Sequence, residues 1–77
     1  MTLEQAQALR VGDMVRYRTS TTETLEIVTG RIGDERDTEC VVELRTIAVL
    51  LDEENKFDVG DEGWINGHNV GSFEKVA

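Results

Sequence analysis

Hydrophobic and polar residues alternate along much of this chain with the period of two that β-strands produce. In residues 14–18 the alternation places Val15 and Tyr17 on one face of a predicted strand. In residues 39–51 Val42 and Leu44 alternate with charged residues, which is typical of a sheet with one solvated face. Both segments are therefore predicted to be strands that bury one face.

The first residues follow a different spacing. Leu3, Ala6 and Leu9 would share one face of a helix. Thr2 is a suitable N-cap, and Gln5 three residues later completes a capping box. We therefore predict a helix of about two turns over residues 3–9, which is too short to be stable without packing on the rest of the chain.

Further strands are predicted around these elements. Residues 24–32 form one, with Leu25 and Ile27 facing inward and Gly30 marking a bulge or bend. From residue 47 to residue 51 the alternation stops and both faces become apolar, which suggests a strand that bends into the core of a barrel. The remaining extended segments are predicted at residues 57–59 and 64–65, and at 72–76 as a strand or a helical turn.

The turns complete the prediction of fold class. The chain has no proline, so its turns depend on Gly, Asp and Asn, and Asn66-Gly67 is the strongest two-residue turn signal. Short strands separated by such turns indicate a mainly β protein, a small SH3-like barrel or roll of about five strands with a short N-terminal helix. Residues 1–77 are predicted to form a single domain.

Several short motifs carry a resemblance to SH3-like and Tudor-like barrels. Residues 11–17 (VGDMVRY) and 28–32 (VTGRI) resemble the opening strands of such barrels, and residues 60–65 and 73–76 resemble the closing strands. The resemblance implies a barrel fold. The chain has no paired aromatic segment and no double Trp, so the resemblance does not imply binding of proline-rich peptides. Its aromatic residues are few for a methyl-lysine cage: Tyr17, Phe57, Trp64 and Phe73.

The charge of the chain is concentrated in its middle. The formal net charge is −8, and residues 34–62 contain eleven acidic and three basic residues, while the charges of the remaining residues balance. This asymmetry indicates an interaction surface and disfavours phosphate as the ligand. The predicted partner-binding residues are Asp34, Glu35, Asp37, Glu39, Asp52, Glu53, Glu54, Asp58, Asp61, Glu62 and Trp64.

Four interpretations of the acidic segment remain open. It is a solvated face that keeps a small protein soluble, or the surface of a non-enzymatic module that binds a basic partner protein. Alternatively, its carboxylates mimic DNA phosphates, as in a phage or mobile-element inhibitor of a nucleic-acid-binding protein. The fourth interpretation is an assembly component of a larger complex. The binding module is the function that we predict.

Metal, cofactor and catalytic sites are not indicated. An EF-hand loop starting at Asp52 would place Lys56 at a ligand position and Phe57 where glycine is required. One His and one Cys do not make a zinc site. No nucleophile lies beside a base, and His68 is interpreted as a residue of a surface turn. We expect no cofactor, no metal and no enzymatic activity.

Other partners and the location follow from charge and hydropathy. The negative field opposes direct binding of nucleic acid through Arg16 and Arg18, which are predicted to pair with acidic residues of the chain itself. No apolar run reaches the roughly 18 residues of a membrane span, and a signal peptide is not evident. We expect a cytoplasmic protein whose single thiol, Cys40, is half-buried, and an exposed sheet edge that permits a homo-oligomer.

Trp64 has two possible roles. In a domain with so little apolar surface, a tryptophan is expected to be a core anchor. If Trp64 is exposed near Phe57 and Tyr17, it becomes the centre of a protein-binding hot spot. The burial of its side chain decides between these roles.

Overall fold

The computed structural model describes residues 1–31 and 42–76. Within them the chain forms one helix, α1, five strands, β1 to β5, and one turn of 3₁₀-helix before β5. The elements are α1 at Leu3–Gln7, β1 at Met14–Arg18, β2 at Thr22–Arg31, β3 at Val42–Asp52, β4 at Glu62–Ile65, the 3₁₀ turn at Val70–Ser72 and β5 at Phe73–Lys75. The number of strands and the N-terminal helix confirm the sequence prediction.

The five strands form one antiparallel sheet in the order β4-β3-β2-β1-β5. Strands β1 to β3 are each paired with the next strand along the chain, and β5 returns to pair with β1. The chain is therefore mainly β and forms a small roll, as the sequence predicts. Membership of the SH3-like barrels stays a prediction.

The capping box of α1 is present. The Gln5 N–H donates to the Thr2 hydroxyl oxygen at 3.1 Å, and the Thr2 N–H donates to Gln5 Oε1 at 2.8 Å. The helix ends at Gln7, two residues before the predicted end. Ala6 and Leu9 are buried and attach this short segment to the sheet.

The hydrophobic core lies between α1 and the inward face of the sheet. Val28 on β2 is opposite Leu44 on β3, and Val42 is opposite Ile65 on β4, so three strands contribute to one apolar layer. The buried hydrophobic residues are Ala6, Leu9, Val15, Val28, Val42, Leu44, Ile65 and Phe73.

The inward face of β2 is not the predicted one. Leu25 and Ile27 are half-buried on the opposite face of the sheet, and the buried residues of β2 are Thr22, Thr24, Glu26 and Val28. Apolar residues occur in both phases of this strand, so its own pattern does not choose the inward face. The packing of Val28 opposite Leu44 sets the inward face of β2. Thr22, Thr24 and Glu26 lie on the same face because side chains alternate along a strand.

Three irregularities bend strands β2 and β3. The register shifts between Val28 and Gly30, which confirms the bulge predicted from that glycine. On β3 the pairing with β2 passes over Ile47 and Leu50. Each extra residue bends the strand and increases its twist.

The prediction that residues 47–51 enter the core is wrong. Ile47 is 38% exposed, Leu50 is 53% exposed and Leu51 is 43% exposed. Ile47 follows the buried Thr46 and Leu51 precedes the half-buried Asp52, so both lie on the outer face, and Leu50 lies at a bulge. Their apolar character therefore does not reflect burial in this chain.

Two local predictions also differ from the structure. Residues 57–59, predicted as extended, form no strand. Asn66-Gly67 does not close a two-residue hairpin. Instead Asn66 Oδ1 accepts the N–H groups of His68 and Asn69 at 2.8 and 3.0 Å, and Asn69 Oδ1 accepts the Asn66 N–H at 2.8 Å. This reciprocal pair of asparagines leads into the 3₁₀ turn.

Some predictions fall on residues that the structure does not describe. Asp34, Glu35, Asp37, Glu39 and Cys40 lie outside the described residues. Among the residues that are described, no helix has the length and hydropathy needed to cross a membrane.

Candidate functional site

A cleft of about 290 Å³ opens on the inward side of the sheet, next to the apolar core. We call it the aromatic cleft. It is lined by Tyr17, Glu26, Leu44, Phe57, Glu62, Gly63, Trp64, Asn69 and Phe73. All four aromatic residues of the chain therefore border one cleft, a convergence that their spacing in the sequence does not indicate.

Three of the rings form a connected wall. Tyr17 on β1 is opposite Phe73 on β5, and their ring centroids are 5.0 Å apart. The ring of Phe57 lies 6.0 Å from that of Tyr17. These separations fall in the range of favourable aromatic pairs. The wall therefore joins two strands and the loop after β3.

Asp52 holds Phe57 in this wall. The Asp52 carboxylate accepts the N–H of Phe57 at 2.9 Å and that of Lys56 at 3.0 Å. The bond from Phe57, followed by that from Lys56, holds the pKa of Asp52 below its usual value. Asp52 was predicted as a partner-binding charge, and here its carboxylate organises a loop.

A second loop brings acidic residues close to the cleft. Gly60 donates its N–H to the Thr46 carbonyl at 2.8 Å, and Thr46 donates its N–H to the Asp61 carbonyl at 2.9 Å. Gly60 has a φ of +95°, a conformation that favours glycine. Asp61 also accepts the Asp58 N–H at 2.9 Å through Oδ2. The backbone of the loop is therefore held against Thr46 as it continues into β4.

Glu26 is the buried charge of this site. It is 6% exposed, and its Oε1 accepts a hydrogen bond from the Thr46 hydroxyl at 2.9 Å. Its Oε2 is buried and has no hydrogen-bond partner in the part of the chain that the structure describes. The Thr24 hydroxyl also favours the carboxylate, although it does not meet hydrogen-bond geometry with either oxygen. One carboxylate oxygen therefore remains unsatisfied.

Burial raises the pKa of Glu26 above its ordinary value. The hydrogen bond from Thr46 opposes this rise, and the negative charge of Asp61 adds to it. None of the residues that line the cleft is a lysine or an arginine. The negative charge of Glu26 is thus left without a cationic partner among the residues around the cleft.

Gly63 provides the opening of the cleft. Strand alternation places Gly63 on the same face as Ile65, opposite Leu44 on β3. A Cβ atom at this position would have no heavy atom within 4 Å. The missing side chain thus leaves room beside Leu44 that the sheet would otherwise fill.

The expectation that Trp64 anchors the core is wrong, because its side chain is 53% exposed. Trp64 follows Gly63 and precedes the fully buried Ile65, so alternation turns its indole to the outer face of β4. There it is opposite Glu43, and a groove of about 290 Å³ runs past it. Trp64 is therefore exposed and borders the aromatic cleft through its strand, while its ring belongs to the outer surface.

The other predicted partner-binding residues are brought together in part. Glu62 is near Trp64 on β4 and pairs with Arg45 at 3.1 Å. Glu54 pairs with Lys56 at 2.6 Å, and Glu53 and Asp58 are exposed in the loops. Sequence reasoning missed Glu26 as a site residue, since the only signal was its spacing of two from Val28.

Arg16 and Arg18 pair with acidic residues of the chain, as predicted. Arg18 Nε lies 2.8 Å from Glu23 on β2, and an Arg16 guanidinium nitrogen lies 3.4 Å from Glu74 on β5. Both pairs are cross-strand neighbours. The charges of both arginines are therefore compensated by acidic residues on neighbouring strands.

A larger groove of about 470 Å³ lies between α1 and β5, lined by Met1, Gln5, Ala8, Leu9, Glu74 and Lys75. Its polar residues are all exposed, so solvent already satisfies them. In residues 1–31 and 42–76, no group of three or more His, Cys, Asp or Glu residues is placed to hold a metal ion. The aromatic cleft and the outer surface around Trp64 are the better candidates.

Comparisons of the chain with protein-family models, with curated proteins and with solved structures found no match.

Proposed function

We propose that the chain is a non-enzymatic binding module that contacts a basic surface of another protein. Trp64 carries the proposal, because a tryptophan that is 53% exposed on a strand is a strong candidate for the centre of an interface. The acidic loops before β4 supply complementary charge. Burial of this indole by a partner would contribute more than the exposed ion pairs around it.

The charges around Trp64 define the partner's chemistry. Glu43 is exposed opposite Trp64, and the side chain of Glu62 is 78% exposed although it pairs with Arg45. Glu53 and Asp58 are further exposed carboxylates of the loop between β3 and β4. A partner that covers the indole would therefore bring Lys or Arg residues to its rim.

The experiment is an affinity capture with matched variants at two salt concentrations. Trp64→Ala removes the proposed centre of the interface. Val11→Ala is the control, because Val11 is 68% exposed and lies in the turn before β1. We expect a partner that binds the wild type and the Val11 variant, survives high salt, and is lost with Trp64→Ala.

Other outcomes would redirect the proposal. A partner that binds DNA or RNA, and is released by high salt with every variant, would support charge mimicry by the acidic loops. Equal capture by wild type and Trp64→Ala would remove Trp64 from the interface. Capture of nothing under either condition would contradict the binding-module proposal.

An assembly role has one observation in its favour. In the described part of the chain β4 pairs with β3 only as far as Arg45, so the later half of β3 lies at a sheet edge. Ile47, Leu50 and Leu51 are exposed there, and an open edge with apolar side chains can pair with another copy. Analytical ultracentrifugation of wild type and Leu50→Lys tests this: a concentration-dependent dimer should dissociate in the variant.

A further inference from the structure

We propose that the aromatic cleft binds the guanidinium group of an arginine side chain that the partner protein inserts beside Glu26. This inference rests on the proposed function and adds a second contact to it, on the opposite face of β4 from the Trp64 indole. It assigns a ligand to the one buried carboxylate that, among the described residues, has an oxygen without a partner.

The buried charge of Glu26 favours a cationic ligand. A buried carboxylate with one unpartnered oxygen is costly in a fold unless an opposite charge compensates it. Oε2 of Glu26 has no partner among the described residues, and Thr46 satisfies only Oε1. A cation placed in the cleft would interact with this charge through protein rather than through water, where Coulomb interactions are weaker.

The aromatic walls of the cleft also favour a cation. The rings of Tyr17, Phe57 and Phe73 form a connected aromatic surface, and the faces of aromatic rings attract cations. None of the described residues that line the cleft is basic. The cleft thus combines aromatic walls with an uncompensated negative charge.

The choice of arginine over lysine follows from the shape and hydration of the two groups. A guanidinium is planar, stacks on aromatic rings and is less strongly hydrated than an ammonium. Entry into a half-enclosed aromatic cleft therefore costs less for arginine. Gly63 supplies the space, because no heavy atom lies within 4 Å of the position where its Cβ would be.

The test uses the purified chain and three capped pentapeptides with glycine on both sides of a central residue. The central residue is arginine, lysine or citrulline, which keeps the shape of arginine without its charge. Binding is followed by NMR through the amide signals of Phe57 and Gly63. Intermolecular NOEs from the arginine side chain to the rings of Tyr17 and Phe73 report direct contact.

We expect saturable shifts and NOEs with the arginine peptide, binding at least about tenfold weaker with lysine, and none with citrulline. No shift with arginine up to about 10 mM, ten times the Kd that corresponds to roughly 4 kcal/mol, would overturn the proposal. Equal binding of citrulline would show that charge is not recognised, and lysine binding as tightly as arginine would overturn the assignment to a guanidinium.

The variants separate the cleft from the general charge of the chain. Glu26→Gln should weaken the arginine peptide at least about tenfold, whereas Glu53→Gln removes the same charge from an exposed loop and should leave binding nearly unchanged. Equal effects of the two variants would reduce the proposal to nonspecific attraction. Should Glu26→Gln lose its NMR dispersion, Phe57→Leu removes one aromatic wall and is expected to weaken arginine binding several-fold.

The two proposals fail separately. The peptide titration needs no natural partner, so its failure leaves the capture experiment on Trp64 unaffected. Conversely, a failed capture experiment leaves the peptide titration unaffected, because that titration measures the wild-type cleft and does not depend on Trp64→Ala.

Discussion

The inward face of the sheet is filled in two different ways. Near α1 it carries Val28, Leu44 and Ile65, each at most 2% exposed, and this apolar half is closed. Further along β2 the same face carries Thr24 and Glu26, and this polar half leaves a carboxylate oxygen unpartnered beside an open cleft. The apolar half stabilises the fold. The unpartnered carboxylate oxygen in the polar half lowers the stability, which is typical of functional sites.

The apolar half should show the largest effect on stability. Leu44→Ala removes a side chain that is 2% exposed in the core. We expect it to lower the free energy of unfolding by about 2–5 kcal/mol, from lost burial and the cavity left behind. Leu50→Ala, the same substitution at a bulge of the same strand where Leu50 is 53% exposed, should cost under about 1 kcal/mol. Urea denaturation compares the two, and equal losses would contradict the assigned core.

The loop beside the polar half depends on a single glycine. Gly60→Ala forces a Cβ into a backbone with φ of +95° and should lower the free energy of unfolding by about 1–2 kcal/mol. Gly63→Ala is the matched control, since Gly63 has an ordinary φ and open space at its Cβ. It should leave stability unchanged or raise it by about 0.4–1 kcal/mol. Thermal unfolding of both variants checks this. A loss of stability in Gly63→Ala as large as that in Gly60→Ala would contradict the role of the positive φ.

Glu26 should make the polar half sensitive to pH. Burial raises its pKa in the folded chain above the unfolded value of 4.5, so the folded state holds the proton more tightly than the unfolded state. This contribution to stability is therefore complete below pH 4.5 and is lost as the pH rises through the folded pKa. Glu26→Gln should remove this decline and be at least as stable as the wild type at neutral pH. Denaturation midpoints of wild type and Glu26→Gln, measured from acidic to neutral pH, test this prediction. If both proteins have the same pH profile, the result contradicts a buried carboxylate at Glu26.

The smallest effect is expected at Asp52, with the opposite pH sign. Its pKa is lowered by the hydrogen bonds from Phe57 and Lys56, so its contribution is present above the unfolded value of 3.8 and is lost as the pH falls below it. Asp52→Asn should loosen the loop with little change in global stability. Amide hydrogen exchange at Lys56 and Phe57 should accelerate in the variant, while exchange at Leu44 stays slow. Unchanged exchange at Phe57 would show that Asp52 does not position that ring.

What the sequence determined was local. The capping box at Thr2 and Gln5, strand β1 and the irregularity at Gly30 depend on neighbours a few residues away, and all three are present. The concentration of acidic residues also follows from the sequence. These features could be predicted because hydrogen bonds and side-chain alternation within one segment fix them.

The buried face of each strand, in contrast, depends on packing between strands. Strand β2 has apolar residues in both phases, and the pairing of Val28 with Leu44 turned Glu26 inward. Ile47 lies outward next to the buried Thr46, Leu50 lies at a bulge, and the buried Ile65 turned Trp64 outward. The aromatic cleft likewise joins residues that are distant in the chain. Register between strands is set by packing across the whole sheet, and a shift of one residue exchanges its two faces, so no single segment contains this information.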